Sequence, residues 1–481
     1  MRDYVLLYIN GKEHRIRGAE AFTPLSDYLR YELGLCGTKV VCAEGDCGAC
    51  TVMLGRLNEG KTDLTYIPVN SCIQFLYQLD CAHIASIEGL KIDEQLNNVQ
   101  EAMVECHGAQ CGYCTPGFIV AMCAMFENKQ KLALPDVKEG LTGNLCRCTG
   151  YESIINAALA VDGSQYTKLS QLHPPAPIVQ AFEKHHQEPV LIEGDGLKLF
   201  IPVDVRSAAE FKSKNSDTII VSGGTDVCVN TNKKGLEPKT VISLANMAGL
   251  DDLTVEQGNL QVGAKVTLRR LEDFCRTLIP EFYRILYVFG SPQIRHAGTL
   301  AGNIGNGSPI ADTLPFLFVM DAEIEAEGAQ GVRRIKINNF YKGYKTLDLG
   351  KDEIITRIIV PVPTEADVLK LYKISKREHL DISTFTAAIR LQRDNGRISR
   401  ANIAYGGIAA VVVRMTKTEA FLAGKPYTIE TFREGGKIAR EEITPISDVR
   451  GSADFRWQLA ENILQKFFYE TASEREWVCH Q

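Results

Sequence analysis

Cys42-x4-Cys47-x2-Cys50, followed at a distance by Cys72, places four thiols with the spacing of plant-type [2Fe–2S] ligands. The intervening Ala43-Glu44-Gly45-Asp46 and Gly48-Ala49 contribute two glycines and two alanines. Such a loop can turn backbone N–H groups inward onto the sulfurs of an anionic cluster. Zinc is the rival for a four-thiol set, but three cysteines in one Gly-rich loop favour the cluster. A second set is Cys111-x2-Cys114 with Cys146-x-Cys148. Each pair abuts a helix start, Thr115-Pro116 and Thr149-Gly150, where free N–H groups and the positive dipole end stabilise thiolates. Spacing alone leaves this second set open between a structural zinc and a second cluster.

These eight thiols account for most of an uneven distribution. The chain has 481 residues and 15 cysteines, and all but Cys228, Cys275 and Cys479 precede residue 149. Cys36, Cys81, Cys106, Cys123, Cys228, Cys275 and Cys479 read as buried small hydrophobes or incidental thiols. A formal charge of −6, with 45% apolar and 23% charged residues, excludes disorder and collagen-like architecture and gives no nucleic-acid footprint. Met1-Arg2-Asp3 runs straight into an alternating segment without a leader pattern, and the longest apolar stretch, 117–126, is too short to span a bilayer. The expectation is a cytoplasmic chain with no membrane association, where clustered cysteines serve metal or redox chemistry more often than disulfides.

The elements that position the first set read as a hairpin about Asn10-Gly11, a helix over 25–32 entered at Thr23-Pro24, the cysteine loop, and a strand from Cys50. Helical patterning over 95–106 and 117–126, a capping box at Asp136–Glu139 and a helix over 151–161 predict a four-helix unit for the second. The proline run His173-Pro174-Pro175-Ala176-Pro177 predicts an extended, stiff linker. Beyond it the chain is α/β, with strands over 218–221, 354–362, 371–374, 384–391 and 401–405, and helices over 428–438 and 456–469. The expected domains are 1–84, 85–162, a linker 163–195, 196–366 and 367–481.

Two glycine stretches lie between residues 221 and 312. A strand running into Val221-Ser222-Gly223-Gly224-Thr225-Asp226 forms a backbone nest suited to a pyrophosphate, with a tight turn as the plainer reading. G-x-G-x-x-G is absent there. The stretch from Gly298 to Asp312 interleaves four glycines with Thr, Asn and Ser, which suits a bulky polar cofactor. Together they favour a dinucleotide over two irregular loops.

Gly37-Thr38-Lys39, the run Glu44–Val52, the run Gln110–Gly117 and the run Gly143–Tyr151 resemble the two [2Fe–2S] domains of the xanthine dehydrogenase, or molybdenum hydroxylase, family. Val41 departs from the pattern, standing where the family has Gly, and removes no ligand. The resemblance extends through both glycine stretches, Tyr372–Arg377 with Asp381-Ile382, and Asp448–Ser452. It implies a multidomain α+β fold: a ferredoxin-like β-grasp domain, a four-helix [2Fe–2S] domain, a two-part FAD-binding domain and a C-terminal α+β domain. It implies that Cys42, Cys47, Cys50 and Cys72 hold one cluster and Cys111, Cys114, Cys146 and Cys148 another. By the same resemblance, Val221, Ser222, Gly223, Gly224, Thr225 and Asp226 line the FAD pyrophosphate and Phe289 packs near the flavin. Thr299, Asn303, Asn306 and Asp312 bind phosphates or hydroxyls, and Lys373 lies close by. Gln110 approaches the pterin of a molybdopterin-binding partner, with which the chain forms an α2β2 heterotetramer. The linker lets the cluster and flavin domains pack on different faces of that partner. The implied activity is relay of electrons from that partner, which oxidises hypoxanthine or xanthine, through both clusters and FAD to NAD⁺. An aldehyde, an N-heterocycle or an aromatic acyl-CoA is the alternative substrate class, and a zinc-stabilised binding protein is the reading of a different kind. No acid–base catalytic residue is expected in this chain.

Overall fold

Val5–Ile9 (β1) and Lys12–Ile16 (β2) pair antiparallel across a turn in which Asn10 and Gly11 both take positive φ, as a two-residue hairpin requires. With Thr51–Leu57 (β3), Leu64–Asn70 (β4) and Ala82–Ala85 (β5) they form a sheet of order β2-β1-β5-β3-β4, in which only β1 and β5 run parallel. All five residues of β1 are buried. Strand alternation explains how: Leu6 and Tyr8 enter one core and Val5, Leu7 and Ile9 another, so this sheet is covered on both faces. A computed structural model describes residues 1–93 and 95–472; Cys479 lies outside the described residues. They divide into two units, Met1–Ala248 with Gly290–Thr299, and Gly249–Phe289 with Leu300 onward.

In the first unit one face of the sheet is covered by Asn98–Glu105 (α1), Thr115–Phe126 (α2), Leu134–Gly140 (α3) and Glu152–Ala160 (α4). Asn97 caps α1 by accepting from Val99 and Gln100 N–H. Asp136 is the third residue of α3, its carboxylate accepting from Ala133 N–H, two residues into a helix that starts earlier than its capping pattern indicates. The helical segment after Thr23-Pro24 begins at Leu25 without a side-chain cap and passes into a π turn over Tyr28–Glu32.

The expected linker is not an extended spacer. Pro175–His185 (α5) is a helix whose Ile178, Val179 and Phe182 enter the core of the four-helix unit. Pro174, Pro175 and Pro177 sit where helix N–H groups lack partners in any case, so proline costs no hydrogen bond there. Val190–Gly194 (β6) follows, paired with Leu197–Ile201 (β7). The linker region therefore packs with the cluster domains and gives them no free arm. Val205–Lys214 (α6), Ile219–Val221 (β8), Val227–Lys234 (α7) and Thr240–Ser243 (β9) complete a sheet of order β6-β7-β9-β8, parallel beyond β7. Its Val190, Leu199, Val221 and Val241, with Cys228 of α7, join the core that covers the other face of the first sheet.

In the second unit, Leu253–Glu256 (β10), Asn259–Gly263 (β11), Glu323–Gly328 (β12), Gly331–Lys336 (β13) and Ile354–Pro361 (β14) form an antiparallel sheet of order β10-β11-β14-β12-β13. The stretch expected to be a glycine loop contains a helix, Leu300–Asn306 (α8), followed by Leu314–Val319 (α9). Asp367–Ile374 (β15), Phe385–Asp394 (β16), Arg397–Gly406 (β17) and Val413–Arg414 (β18) form a second antiparallel sheet. Ile429–Glu441 (α10) and Ala453–Thr471 (α11) contribute Phe432, Phe467 and Phe468 to its core. No helix among the described residues is long and apolar enough to cross a membrane.

Candidate functional site

The loop between β3 and the preceding helical segment brings Cys42, Cys47 and Cys50 together, and the turn after β4 adds Cys72. Cys42 lies within hydrogen-bonding reach of Cys47 and of Cys72, and Cys50 of Cys72. Thiol contacts from Cys47 and Cys72, with the Glu44 and Cys47 backbone, hold Cys42 far below the ordinary thiol range. The Cys72 side chain, aided by its backbone and Ser71, lowers Cys50 against the cost of burial. The thiols on the other side of these contacts, Cys47 and Cys72, move up, pushed first by Cys42. The loop's turns are made by Ala43, Gly45 and Gly48, all at positive φ, and Asn70 Nδ2 donates to Gly45 O at 2.7 Å. Val41 is 61% exposed, so its departure from the family pattern touches no packing.

The second set is gathered at the starts of α2 and α4. Cys111 Sγ and Cys148 Sγ are 3.5 Å apart, and Cys114 reaches Cys146. The Tyr113 backbone N–H, then the Cys148 thiol, lowers Cys111. Burial raises Cys146, but hydrogen bonds from the Thr149 side chain and backbone outweigh it and the net direction is down. Burial, then Cys146, pushes Cys114 up to about 12, and Cys111 raises Cys148. Tyr151, at φ 72°, turns the chain into α4 and accepts from Cys146 N–H through its hydroxyl at 3.0 Å.

Both sets fit [2Fe–2S] clusters. In each set all four sulfurs come within reach of a neighbouring thiol, in two pairs in the second set and in a linked run Cys47–Cys42–Cys72–Cys50 in the first, and backbone N–H groups already point at them. Among the described residues no group of three or more His, Cys, Asp or Glu is arranged to hold a single ion. The two loops touch. Leu145 N–H donates to Cys47 O at 3.0 Å, and a Cβ at Gly117 would meet Gly48 O at 2.3 Å. Asn144, missed in the sequence, donates to Gly48 O, and Gln293, 1% exposed, donates to Asn144. The sets differ in exposure: the first has Cys50 and Cys72 buried and Cys42 and Cys47 half-buried, whereas the second has Cys146 buried, Cys114 half-buried, and Cys111 and Cys148 exposed, as is the neighbouring Gln110.

The candidate flavin residues fall in both units. In the first, Val221 is buried at the end of β8, and the nest Ser222–Asp226 leads into α7. A Cβ at Gly223 would lie 1.8 Å from Ala297 O, so only glycine permits the approach that sets this loop beside the segment ending in Thr299. In the second, α8 carries Asn303 and Asn306 one turn apart; Asn303 accepts from Thr313 Oγ1 at 2.6 Å and Asn306 from Lys345 Nζ at 3.3 Å. Lys373 Nζ lies 2.6 Å from Asp312 Oδ2, both side chains nearly buried, and Ser383 Oγ donates to Asp312 Oδ1 at 2.5 Å. Phe289 is half-buried in a turn that returns its N–H to Leu286 O. Within the first unit the backbone nest, and within the second the amides and a fixed cation, each offer donors that suit a phosphate or a sugar hydroxyl. Ser383 and Lys345 had no signature in the sequence because each acts only through a residue distant along the chain.

Comparison with known proteins bears on these sites in chain order. Residues 7–74 match the 2Fe-2S iron-sulfur cluster binding domain and residues 86–159 the [2Fe-2S] binding domain. Residues 195–363 match the FAD binding domain in molybdopterin dehydrogenase, and residues 370–471 the CO dehydrogenase flavoprotein C-terminal domain. Xanthine dehydrogenase 1 of Arabidopsis thaliana is 29% identical over 99% of this chain and 40% of its own length. Aldehyde oxidase 1 of Bos taurus is 26% identical over 97% and 39%. The crystal structure of quinoline 2-oxidoreductase from Pseudomonas putida 86 superimposes with a TM-score of 0.53 at 25% identity, covering 56% of this chain and 95% of the other. The chain spans about two-fifths of the length of the curated relatives it matches. Two [2Fe–2S] domains followed by a FAD-binding domain and its C-terminal companion give the chain the domain order of an iron–sulfur and flavin component of the molybdenum hydroxylases.

Proposed function

We propose that the chain carries electrons from a molybdopterin-binding partner to NAD⁺, by way of the Cys111/Cys114/Cys146/Cys148 cluster, the Cys42/Cys47/Cys50/Cys72 cluster and FAD. Hypoxanthine or xanthine is the substrate oxidised on the partner. The difference in exposure carries the order: a partner can reach Cys111, Cys148 and Gln110 at the surface, whereas Cys50 and Cys72 are enclosed by protein. Bound clusters supply one-electron steps and bound FAD converts these to hydride chemistry. The chain's own residues supply position and charge. Helix starts and inward N–H groups hold the thiolates, and Lys373, fixed by Asp312, brings a cation to the flavin residues of the second unit.

NAD⁺ as acceptor is supported by a cavity of about 300 Å³ in the second unit, where Lys376 and Arg450 stand beside apolar Leu380, Ile382 and Val449, and the one carboxylate of the lining, Asp381, is paired with Arg377. Cations over an apolar floor suit a dinucleotide with a pyrophosphate and flat rings. The relatives named for aldehyde oxidation and quinoline oxidation favour a second reading, the same relay behind a partner acting on an aldehyde or N-heterocycle. The α2β2 assembly and a cytoplasmic location belong to the same proposal.

The test is co-expression with a molybdopterin-binding chain, followed by optical and EPR titration. Two distinct [2Fe–2S] signals, a flavin bleached by NADH, and NAD⁺ reduction driven by xanthine are expected. Aldehyde- or quinoline-driven turnover without xanthine turnover moves the reading to the second substrate class. A folded, colourless protein with bound zinc overturns the relay.

A further inference from the structure

The helix that begins at the flavin nest, α7, also reaches the first thiol set, within the first unit. Asn232, near its end, donates both protons of its amide: Nδ2 to Ala43 O at 3.0 Å and to Cys72 O at 2.8 Å. One side chain thus ties the two chain segments that supply ligands, the loop beginning at Cys42 and the turn holding Cys72, which are 30 residues apart (72 − 42). At the other end of α7 the tie is repeated. Gln74 and Gln78 direct their amides at Gly223 O and Ser222 O, each at 3.5 Å, and Gln78 Oε1 accepts from Cys228 of α7 and from Phe75 N–H. Gly224, at φ 69°, has room for no side chain, since a Cβ would lie 2.4 Å from Gln78 Nε2. A buried core containing Cys50, Cys72, Leu76, Tyr77, Val221 and Cys228 fills the space between these ties.

We propose that Asn232 is a positioning residue for the Cys42/Cys47/Cys50/Cys72 cluster, and that through α7 it couples this cluster to occupancy of the Ser222–Asp226 nest by a dinucleotide. The inference rests on the cluster and flavin reading above. A rigid helix held at both ends transmits a displacement of the nest to the ligand carbonyls, and carbonyl and N–H dipoles beside ligands tune a cluster. Among the described residues the second cluster's ligands make no hydrogen bond to α7 and meet the first loop only through contacts such as Leu145 N–H to Cys47 O, so the second cluster serves as the internal reference, with a smaller shift expected there.

The experiment compares wild-type holoprotein with Asn232→Leu, which keeps the γ-branched shape and loses both donors, and with Asn232→Asp, which keeps size, loses both donors and adds a negative charge. Each is reduced and its EPR spectrum and midpoint potentials recorded, with FAD bound and after FAD removal. In wild type, FAD removal is expected to displace the g values of one cluster and to displace those of the other less. Both variants are expected to displace that same signal with FAD bound, and FAD removal is expected to add little further. If Asn232→Leu loses both signals, Asn232→Asp decides alone. A variant whose spectrum and FAD response match wild type overturns the proposal, as does an equal shift of both clusters, which marks a general loss of structure. Wild type lacking both signals overturns the relay reading itself and is recognised before any variant is made.

Discussion

The two thiol sets carry the same chemistry in opposite settings. The first lies at the edge of a sheet covered on both faces, with Cys50 and Cys72 2% exposed and its turns wedged against neighbouring chain. The second stands on two helix starts with Cys111 and Cys148 at the surface. The first set is part of a core, so its geometry is set by packing. The second is held by helix termini, hydrogen bonds and one buried ligand, Cys146, which leave Cys111 and Cys148 at the surface. The exposed set is the one that another protein can approach and cover.

Removing one ligand from each set breaks this comparison most strongly. Cys72→Ser is expected to take away half the bound iron and one EPR signal, and to lower the melting temperature, because a cluster in the core contributes its binding energy to folding. Cys148→Ser is expected to take away the other half and the other signal with a melt close to wild type. Equal losses of stability would mean that burial does not distinguish the two.

The glycines of the two loops give the next contrast. Gly48, at φ 69°, would place a Cβ 2.2 Å from Gly143 O, whereas Gly112, at φ 79°, faces open space. Gly48→Ala combines backbone strain with a collision between the two cluster loops, an expected loss of about 3 kcal/mol in urea unfolding. Gly112→Ala bears the strain alone, about 1 kcal/mol. Similar losses at the two positions would show that the loops do not brace each other at Gly48.

Burial around the first set also sets a pH dependence. His83 on β5 is fully buried; burial, then the nearby His173, lowers it from its ordinary 6.5 to about 3. Nε2 accepts from Gly11 N–H, so the neutral ring keeps its proton on Nδ1, directed at Tyr66 Oη 2.7 Å away. The unfolded chain takes up a proton at this position below pH 6.5 and the folded chain does not. Its stabilisation is therefore complete above pH 6.5 and is lost as pH falls toward 3, at about 1.4 kcal/mol per pH unit. Urea midpoints at pH 7.0 and 5.5 should differ by roughly 1 kcal/mol more in wild type than in His83→Gln. An equal difference would show that His83 takes up protons in the folded chain as it does in the unfolded one.

Much of this was legible in the sequence, for a physical reason. Cysteine spacing in a loop is a local property, so Cys42, Cys47 and Cys50 could be grouped directly, whereas spacing alone leaves the pairs before α2 and α4 open between zinc and a cluster. The hairpin at Asn10-Gly11 and the four helices followed from turn chemistry and periodicity in the same way. What could not be read depends on contacts distant along the chain. Proline density over 174–177 implied an extended spacer, but a core was available to Ile178, Val179 and Phe182, and burial decided for helix. Gly298–Asp312 looked like a loop because glycine lowers helix propensity, which packing of Leu300 and Ile304 overrides. Asn232 and Gln293 each act across many residues of sequence, and nothing local marks them.

The smallest expected effect tests the one place where the sequence departs from the family pattern. Glycine before a first ligand is needed if the backbone there takes positive φ or if a neighbour leaves no room for a Cβ. In this chain the positive-φ positions of the loop are Ala43, Gly45 and Gly48, and Val41 turns its side chain to solvent. The chain just before it is held by other bonds: Lys39 N–H donates to Ala49 O, and Tyr113 Oη donates to Val40 O. Val41→Gly is therefore expected to leave the EPR spectrum and midpoint potential of the first cluster unchanged and to alter unfolding by no more than about 0.5 kcal/mol. A potential that moved would give the valine a role its exposure does not disclose, as an apolar cover limiting water at the rim of an otherwise buried cluster. The two thiol sets would then differ less in solvent access than their ligands do.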